Sequence, residues 1–266
     1  VFWITGALGF VWLAFWWLFY DLPARQKRLS EAELELITDG QESNKVQSAN
    51  TRIKWRKLFS FPQTWALITG KGLIDPIFWF FLFWLPSYFS STFSLDLKKP
   101  SLQLMIIYLA ATIGSIGGGY ISSWLIKKGW PILKARKASL LAFACLELSI
   151  MLTQFAPNAW MAVLLISLAI AVHQAWATNI FTMASDMFPS EAVSSVVGIA
   201  GTAGSIGGVL FPILIGYLLD TYKALGNVTI GYNIIFTLCS FAYLLSLTII
   251  HFLTRKSEPV ALKQIQ

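Results

Sequence analysis

Three ionisable side chains lie inside long apolar stretches of the sequence: Lys71, Asp75 and Glu147. If those stretches cross a membrane, each charge costs at least ~2.5 kcal/mol to insert, so each is a candidate functional group by default. An ammonium can attract an anion, and a carboxylate can pair with it or carry a proton. The argument for function therefore depends on which elements hold these groups.

Lys71 and Asp75 are four residues apart, so on a helix they share one face and partly neutralise each other. Pro76 follows at once and frees a backbone carbonyl in the preceding turn, and Trp79 adds bulk to the same helix. The sequence predicts a bent helix that lines a cavity. Two interpretations stay open: Lys71 attracts an anion with Asp75 as partner or proton carrier, or the two form a structural ion pair.

A second group of polar side chains crowds into one later apolar run. They are His173, Gln174, Trp176, Thr178, Asn179 and Thr182. Their three- and four-residue steps allow a broad shared helical face, and such density requires internal partners or a water-filled cavity. We predict a substrate-binding set of Lys71, Asp75, Trp79, Gln174, Asn179 and Thr182. Alternatively, Asn and Thr side chains bridge helices and His173 is a packing group.

Two further acidic groups have weaker interpretations. Glu147 has no basic residue within helical reach, so it is protonated, paired across helices or set near a thinner polar zone; we favour a structural or lipid-proximal role. Asp186 and Glu191 flank Phe188-Pro189 at a helix exit, where we expect them to hold or cap the loop, with Asp186 in a gate.

Enzyme chemistry has no visible place in the sequence. No Cys/His/Asp cluster has metal-ligand spacing, and no Gly-rich phosphate loop follows a strand. We therefore predict no catalytic residues, no metal and no cofactor.

The elements that position these groups are apolar helices. Residues of hydrophobic type make up 56% of the chain and charged residues only 12%, about half the charged share of a soluble domain. Seven apolar runs approach the ~20 residues needed to cross a bilayer; they are residues 2–20, 65–90, 102–126, 138–155, 160–187, 193–219 and 232–253. We predict an all-α integral membrane fold with about seven transmembrane helices.

Basic residues follow the membrane orientation and so do not indicate nucleic-acid binding, despite a net charge of +7. They cluster between the first and second runs and between the third and fourth, and the alternation predicts a cytoplasmic C-terminus. The chain begins with Val1 inside an apolar run, without a signal-peptide pattern, so we expect a truncated N-terminus.

A short repeat divides the later runs into two groups. The sequence Gly-Ser-Ile-Gly-Gly occurs at 114–118 and again at 204–208, each time in the middle run of a three-run group, 65–155 or 160–253. Because three crossings are an odd number, the second group enters the membrane in the opposite sense, as in an inverted-topology repeat. We predict packing or gating roles for Gly114, Gly118, Gly204 and Gly208. The alternative is convergence on small residues wherever membrane helices pack closely.

Several stretches resemble the anion:cation symporter family of the major facilitator superfamily. The first are Gly6-Ala7-Leu8-Gly9-Phe10-Val11-Trp12-Leu13 and Asp75-Pro76 with the run from Trp79 to Tyr88. The longest joins His173-Gln174-Ala175-Trp176, Asn179-Ile180-Phe181-Thr182, Ser185-Asp186-Met187-Phe188-Pro189 and Val193-Ser194-Ser195-Val196-Val197-Gly198 to Gly207-Gly208. That string is similar to the hexuronate (glucuronate and galacturonate) branch.

The resemblance implies a fold and a division of the chain. Residues 1–20 would be the last helix of an N-terminal bundle, 21–61 a cytoplasmic central loop, 62–255 the C-terminal six-helix bundle and 256–266 a cytoplasmic tail. These are the sixth to twelfth of twelve helices. Gly72 and Ile74 depart from the aromatic and threonine usual in this family before Asp-Pro, which puts the exact substrate in doubt.

The same resemblance implies proton-coupled symport of a sugar acid by alternating access, in a bacterial inner membrane. The expected partners are a small organic anion, protons, membrane lipid and the N-terminal bundle, where the family's main coupling charges lie. Alternatives are carriers of aldonates or aldarates, aromatic carboxylates or sialates. A seven-helix receptor or retinal pump and a membrane-embedded enzyme are rivals of another class, although run 232–253 lacks the lysine of a retinal protein.

Overall fold

The computed structural model describes residues 2–21, 25–26, 28–38, 54–95, 102–255 and 259–265. These parts of the chain are helices joined by short connections and contain no strand. The chain divides into two compact units, residues 1–52 and 53–266, which are described separately below.

The first unit contains the helices Phe2–Phe19 and Glu31–Thr38. The shorter helix begins with a capping box: the Ser30 backbone N–H and hydroxyl donate to Glu33 Oε2 at 3.0 and 2.9 Å, and the Glu33 N–H donates to Ser30 Oγ at 3.3 Å. These hydrogen bonds lower the pKa of Glu33. Its first turn also contains Glu31 and Glu33, at the helix end whose dipole favours negative charge.

In the described residues of the second unit, six helices are long and apolar enough to cross a membrane. In chain order they are span 1 (Pro62–Phe93), span 2 (Leu102–Lys127), span 3 (Ile132–Phe155), span 4 (Ala159–Met187), span 5 (Ser190–Ala224) and span 6 (Val228–Leu253). A short helix, Trp55–Leu58, precedes them, and a 3-10 turn, Leu262–Gln264, follows. Six predicted runs are thus confirmed as candidate spans, while a crossing by Phe2–Phe19 stays a prediction.

Two of the spans are composite. Span 1 joins the helices Pro62–Gly72 and Asp75–Phe93, and span 3 joins the helix Ile132–Glu147 to the 3-10 helix Leu148–Phe155. Lys134, Arg136 and Lys137 are among the basic residues between the third and fourth apolar runs, which we expected in a connection. That expectation is wrong, because span 3 begins at Ile132, before its apolar run.

The six spans pack so that the two groups of three exchange their middle helices. Span 4 is the most buried span, and the glycine-bearing spans 2 and 5 are the least buried. Span 2 packs on span 4 and span 5 packs on span 1, so the middle helix of each group contacts the first helix of the other. Spans 3 and 6 pack against each other. This exchange is the arrangement expected of two inverted repeats related by a two-fold axis.

Candidate functional site

Span 1 is broken between Lys71 and Asp75. The Ile74 N–H donates to the Lys71 carbonyl three residues back, at 3.2 Å, instead of to the carbonyl of Gly70. The second helix then begins at Asp75, with Pro76 in its first turn, where a residue without an N–H is tolerated best. The bend predicted from Pro76 is therefore an interruption of the helix.

Neighbouring spans cover the backbone that the break exposes. The Trp176 indole N–H of span 4 donates to the freed Gly70 carbonyl at 3.1 Å. On the other side Gly207 of span 5 lies against the Gly72 carbonyl, and a Cβ at Gly207 would stand 2.7 Å from that oxygen. An unpaired backbone group is costly inside a membrane, so the hydrogen bond from Trp176 stabilises the interruption.

An ion pair bridges the break. Lys71 Nζ lies 2.8 Å from Asp75 Oδ2, and the two side chains are only 10% and 23% exposed. Lys71 is in the last turn of one helix and Asp75 in the first turn of the next, so each charge lies at the helix end whose dipole favours it. The Lys71 ammonium also sits 4.2 Å from the centroid of the Phe181 ring of span 4.

Aromatic side chains follow the ion pair on the same side of span 1. Trp79 stacks on Phe83 with 5.8 Å between ring centroids, and Phe78 stacks on His173 of span 4 at 5.2 Å. Phe78 and Trp79 are half-buried and Phe83 is exposed. The steps from Asp75 to these residues are three, four and eight, which place them on adjoining faces of one helix. The candidate site is therefore a paired charge followed by an aromatic strip.

His173 belongs to a buried network behind that strip. Its Nδ1 lies 2.8 Å from the Tyr243 hydroxyl of span 6, and the Tyr243 ring contacts Trp176 edge to face at 5.3 Å. Both His173 and Tyr243 are buried. This arrangement fits the packing role that we favoured for His173.

The predicted polar residues of span 4 do not all face the ion pair. Asn179 is fully buried, and its amide donates to the carbonyls of Gly118 in span 2 and Ala175, at 3.0 and 2.9 Å. The expected common face of Gln174 and Asn179 is wrong, because a five-residue step turns a helix by about 140°. The Thr182 hydroxyl donates to the Thr178 carbonyl at 2.6 Å. Gln174 is half-buried.

The repeated glycines form two close helix contacts, which we call seam A and seam B. In seam A, Gly114 and Gly118 of span 2 lie against Ala171 and Ala175 of span 4. In seam B, Gly204 and Gly208 of span 5 lie against Asp75 and Trp79 of span 1. A side chain at any of these four glycines would overlap atoms of the partner helix, which is typical of close packing on small residues. Their packing or gating role stays a prediction.

A second ion pair joins the ends of three spans. Arg136 Nε of span 3 donates to Asp186 Oδ2 of span 4 at 2.9 Å, and Arg136 Nη1 donates to Ser122 Oγ of span 2 at 2.6 Å. Arg136 is buried. From the sequence, Arg136 counted only among the basic residues that mark orientation, and this ion pair was missed. The available signal was that Arg136 lies just before an apolar run and can belong to the same helix. A gating role for Asp186 stays a prediction.

Glu147 ends the α-helical part of span 3. It is fully buried, and neither carboxylate oxygen has a hydrogen-bond partner among the described residues. Of the two roles that we favoured, the lipid-proximal one is therefore wrong, because the side chain lies inside the bundle, and the structural one stays a prediction. Across the described parts of the chain, no three His, Cys, Asp or Glu side chains are grouped so that they could hold a metal ion.

Comparison with known proteins agrees with this architecture. A family model described as Major Facilitator Superfamily matches residues 1–212. The D-galactonate transporter of Escherichia coli O6:H1 is 26% identical over 84% of this chain and 53% of its own length. The hexuronate transporter of Escherichia coli K12 is 27% identical over 82% of this chain and 51% of its own length. A probable galactarate/D-glucarate transporter of the same strain is 28% identical, over 83% and 51% respectively. The chain spans about half the length of these curated relatives.

Proposed function

The chain belongs to the Major Facilitator Superfamily, and from that premise we propose that it forms part of a secondary active transporter that carries a sugar acid of the hexuronate kind together with protons. The observation that supports this proposal most strongly is the Lys71–Asp75 pair at the break of span 1. Interrupted helices with charges at their half-helix ends are where secondary transporters bind solutes and coupling ions.

The pair suggests how an anion and a proton could be bound together. Lys71 is held by Asp75, and a buried ammonium needs a negative partner. If Asp75 takes up a proton, Lys71 loses that partner and the carboxylate of the solute can replace it. Proton binding and anion binding would then favour each other, and the coupling is reciprocal by thermodynamic necessity.

The neighbouring side chains suit the rest of a sugar acid. Trp79 offers an apolar surface beside the pair, and Gln174 offers an amide from span 4. A site of mostly aromatic surface with a few polar groups is typical of small-molecule binding. In this proposal Asn179 and Thr182 shape span 4, because the Asn179 amide nitrogen and the Thr182 hydroxyl donate to carbonyls within the bundle.

The number of cations bears on the substrate class. Lys71 is the one lysine or arginine in spans 1 and 4. One ammonium matches a solute with one carboxylate, such as a hexuronate or an aldonate, better than an aldarate with two. A carrier of aldonates is therefore the second candidate, and Gly72 and Ile74 beside the pair are where the two would differ.

The proposal also places the protein in the cell and describes its motion. The six apolar spans and the family make the protein an integral membrane protein. We propose a bacterial inner membrane, a cytoplasmic C-terminus and alternating access against an N-terminal bundle. Seams A and B would allow neighbouring helices to approach and slide.

Uptake by the full-length protein in proteoliposomes tests the proposal. Labelled glucuronate, galacturonate, galactonate and glucarate are supplied with and without an inward proton gradient, to wild type, Lys71→Gln and Lys128→Gln. Lys128 is a matched control because its ammonium stacks on Trp124 and not on the site. We expect gradient-dependent uptake of the monocarboxylates that only Lys71→Gln abolishes. Uptake that needs no gradient, or that survives Lys71→Gln, would contradict the proposal.

A further inference from the structure

We propose that the groove between spans 3 and 6, at the basic end of both helices, binds an anionic phospholipid. This inference does not depend on which solute the protein carries. It concerns residues that take no part in the candidate site.

The groove is a cavity whose charged lining residues are all basic. It has a volume of about 640 Å³ and twelve lining residues. Four of them have basic side chains: Lys134, Lys137, His251 and Arg255. None of the lining residues is acidic. A ligand with a phosphate group would complement that charge.

The two helices present these groups at the same level. Lys137 Nζ, near the start of span 3, donates to the carbonyl of Thr254, just after the end of span 6, at 3.2 Å. A carbonyl acceptor leaves the charge of Lys137 uncompensated. The groove therefore has its basic residues gathered where both spans leave the apolar region.

The deeper walls of the groove are apolar. Leu141 lies seven residues beyond Lys134, which is about 10 Å further along the helix, and it is 50% exposed. On span 6, Leu247 lies one turn before His251 and forms the facing wall, and Phe252, at the basic end, is 68% exposed. A basic mouth above an apolar wall fits a molecule with an anionic head and a hydrocarbon tail.

A lipid fits this groove better than a soluble anion does. Both walls belong to helices that cross the membrane, so their exposed apolar side chains are in contact with hydrocarbon. Trp130, at the mouth, lies 5.4 Å from the Lys134 ammonium, and tryptophan is typical of the membrane interface. Basic pockets between transmembrane helices are recognised sites for anionic headgroups. A free phosphate would leave the apolar wall uncovered.

Native mass spectrometry of the full-length protein in neutral detergent tests the proposal by titration with phosphatidylglycerol or phosphatidylcholine. The test variant is Lys134→Gln/Arg255→Gln. The matched control is Lys127→Gln/Lys128→Gln, which removes two charges at the end of span 2, outside the groove. Each charge removed should weaken the tightest phosphatidylglycerol binding about fivefold, and the control should bind as wild type does.

Several results would overturn the lipid assignment. Equal losses in the test and control variants would show attraction by overall charge only, and no loss in the test variant would exclude the groove. Equal affinity for phosphatidylcholine would exclude recognition of the anionic head. Competition by inorganic phosphate at the lipid's own concentration would identify a free-anion site instead. Unfolding temperatures measured without lipid show that each variant is folded.

Discussion

Seams A and B use the same glycine motif and differ in the helix on the other side. In seam A the partner is unbroken span 4, and Gly118 accepts the Asn179 amide through its carbonyl. In seam B the partner is broken span 1, and Gly204 faces the carboxylate of Asp75. The repeat thus forms two close contacts. In seam A backbone packs against backbone, and in seam B backbone packs against a charged pair.

The difference indicates that seams A and B have different roles within one fold. Seam A contains small residues and a side-chain amide that donates across the contact, which is how membrane helices are held together. Seam B brings glycines against a proline, a tryptophan and an ion pair beside an interrupted helix, which is where solutes are bound. Changes in seam A should therefore affect stability, and changes in seam B should affect transport. The four predictions below follow in order of their expected effect on the free energy of unfolding.

Gly118→Leu should have the largest effect. A Cβ at Gly118 would overlap the Ala175 backbone, which cannot rotate away, so we expect a loss of about 3 kcal/mol in the free energy of unfolding. Gly117→Leu is the matched control, because a Cβ there meets nothing within 4 Å. Thermal unfolding of both variants in detergent measures the difference; equal unfolding temperatures would show that seam A is not close-packed.

Asp75→Asn should come next. It leaves the mostly buried Lys71 ammonium without its partner, so we expect a loss of about 2 kcal/mol, moderated by the partial exposure of Asp75. The double variant Lys71→Gln/Asp75→Asn removes the unpaired charge and should recover most of that stability without recovering transport. Chemical unfolding and uptake are measured on the same preparations. A double variant as unstable as Asp75→Asn would mean that the charge is not the cause.

Asn179→Ala should have a smaller effect, about 1 kcal/mol, because it removes one hydrogen bond between spans 4 and 2 and one within span 4 but leaves no charge unpaired. Its transport, normalised to folded protein, should equal that of wild type. Gln174→Ala is the comparison variant on the site side of span 4 and should raise the KM for the solute. A raised KM in Asn179→Ala alone would restore the substrate-binding role that the sequence suggested.

Gly204→Ala should have the smallest effect on stability, below about 0.5 kcal/mol, because the group that its Cβ meets is the end of the Asp75 side chain, which can rotate. That rotation changes the geometry of the pair but keeps the carboxylate near the Lys71 ammonium, so the charge stays compensated while we expect a clear loss of proton-dependent uptake. Gly201→Ala, with nothing within 4 Å of its Cβ, is the control. Normal uptake by Gly204→Ala would show that the geometry of the pair is unimportant.

The sequence predicted the spans, the repeat and the Lys71–Asp75 pair because each depends on local spacing or hydropathy. It did not predict that Ile74 interrupts span 1, since Trp176, which donates to the freed Gly70 carbonyl, is distant along the chain. It also gave Arg136 no partner, because Asp186 lies 50 residues away. Interactions between spans are set by packing, which one sequence does not reveal.

Equilibrium binding of labelled glucuronate to the full-length protein, for Lys71→Gln and Asn179→Ala at equal amounts of folded protein, tests the division between the seams most directly. The account predicts that Lys71→Gln loses binding and that Asn179→Ala binds as wild type does. If Lys71→Gln binds normally while Asn179→Ala does not, the solute is held at seam A and the assignment is reversed.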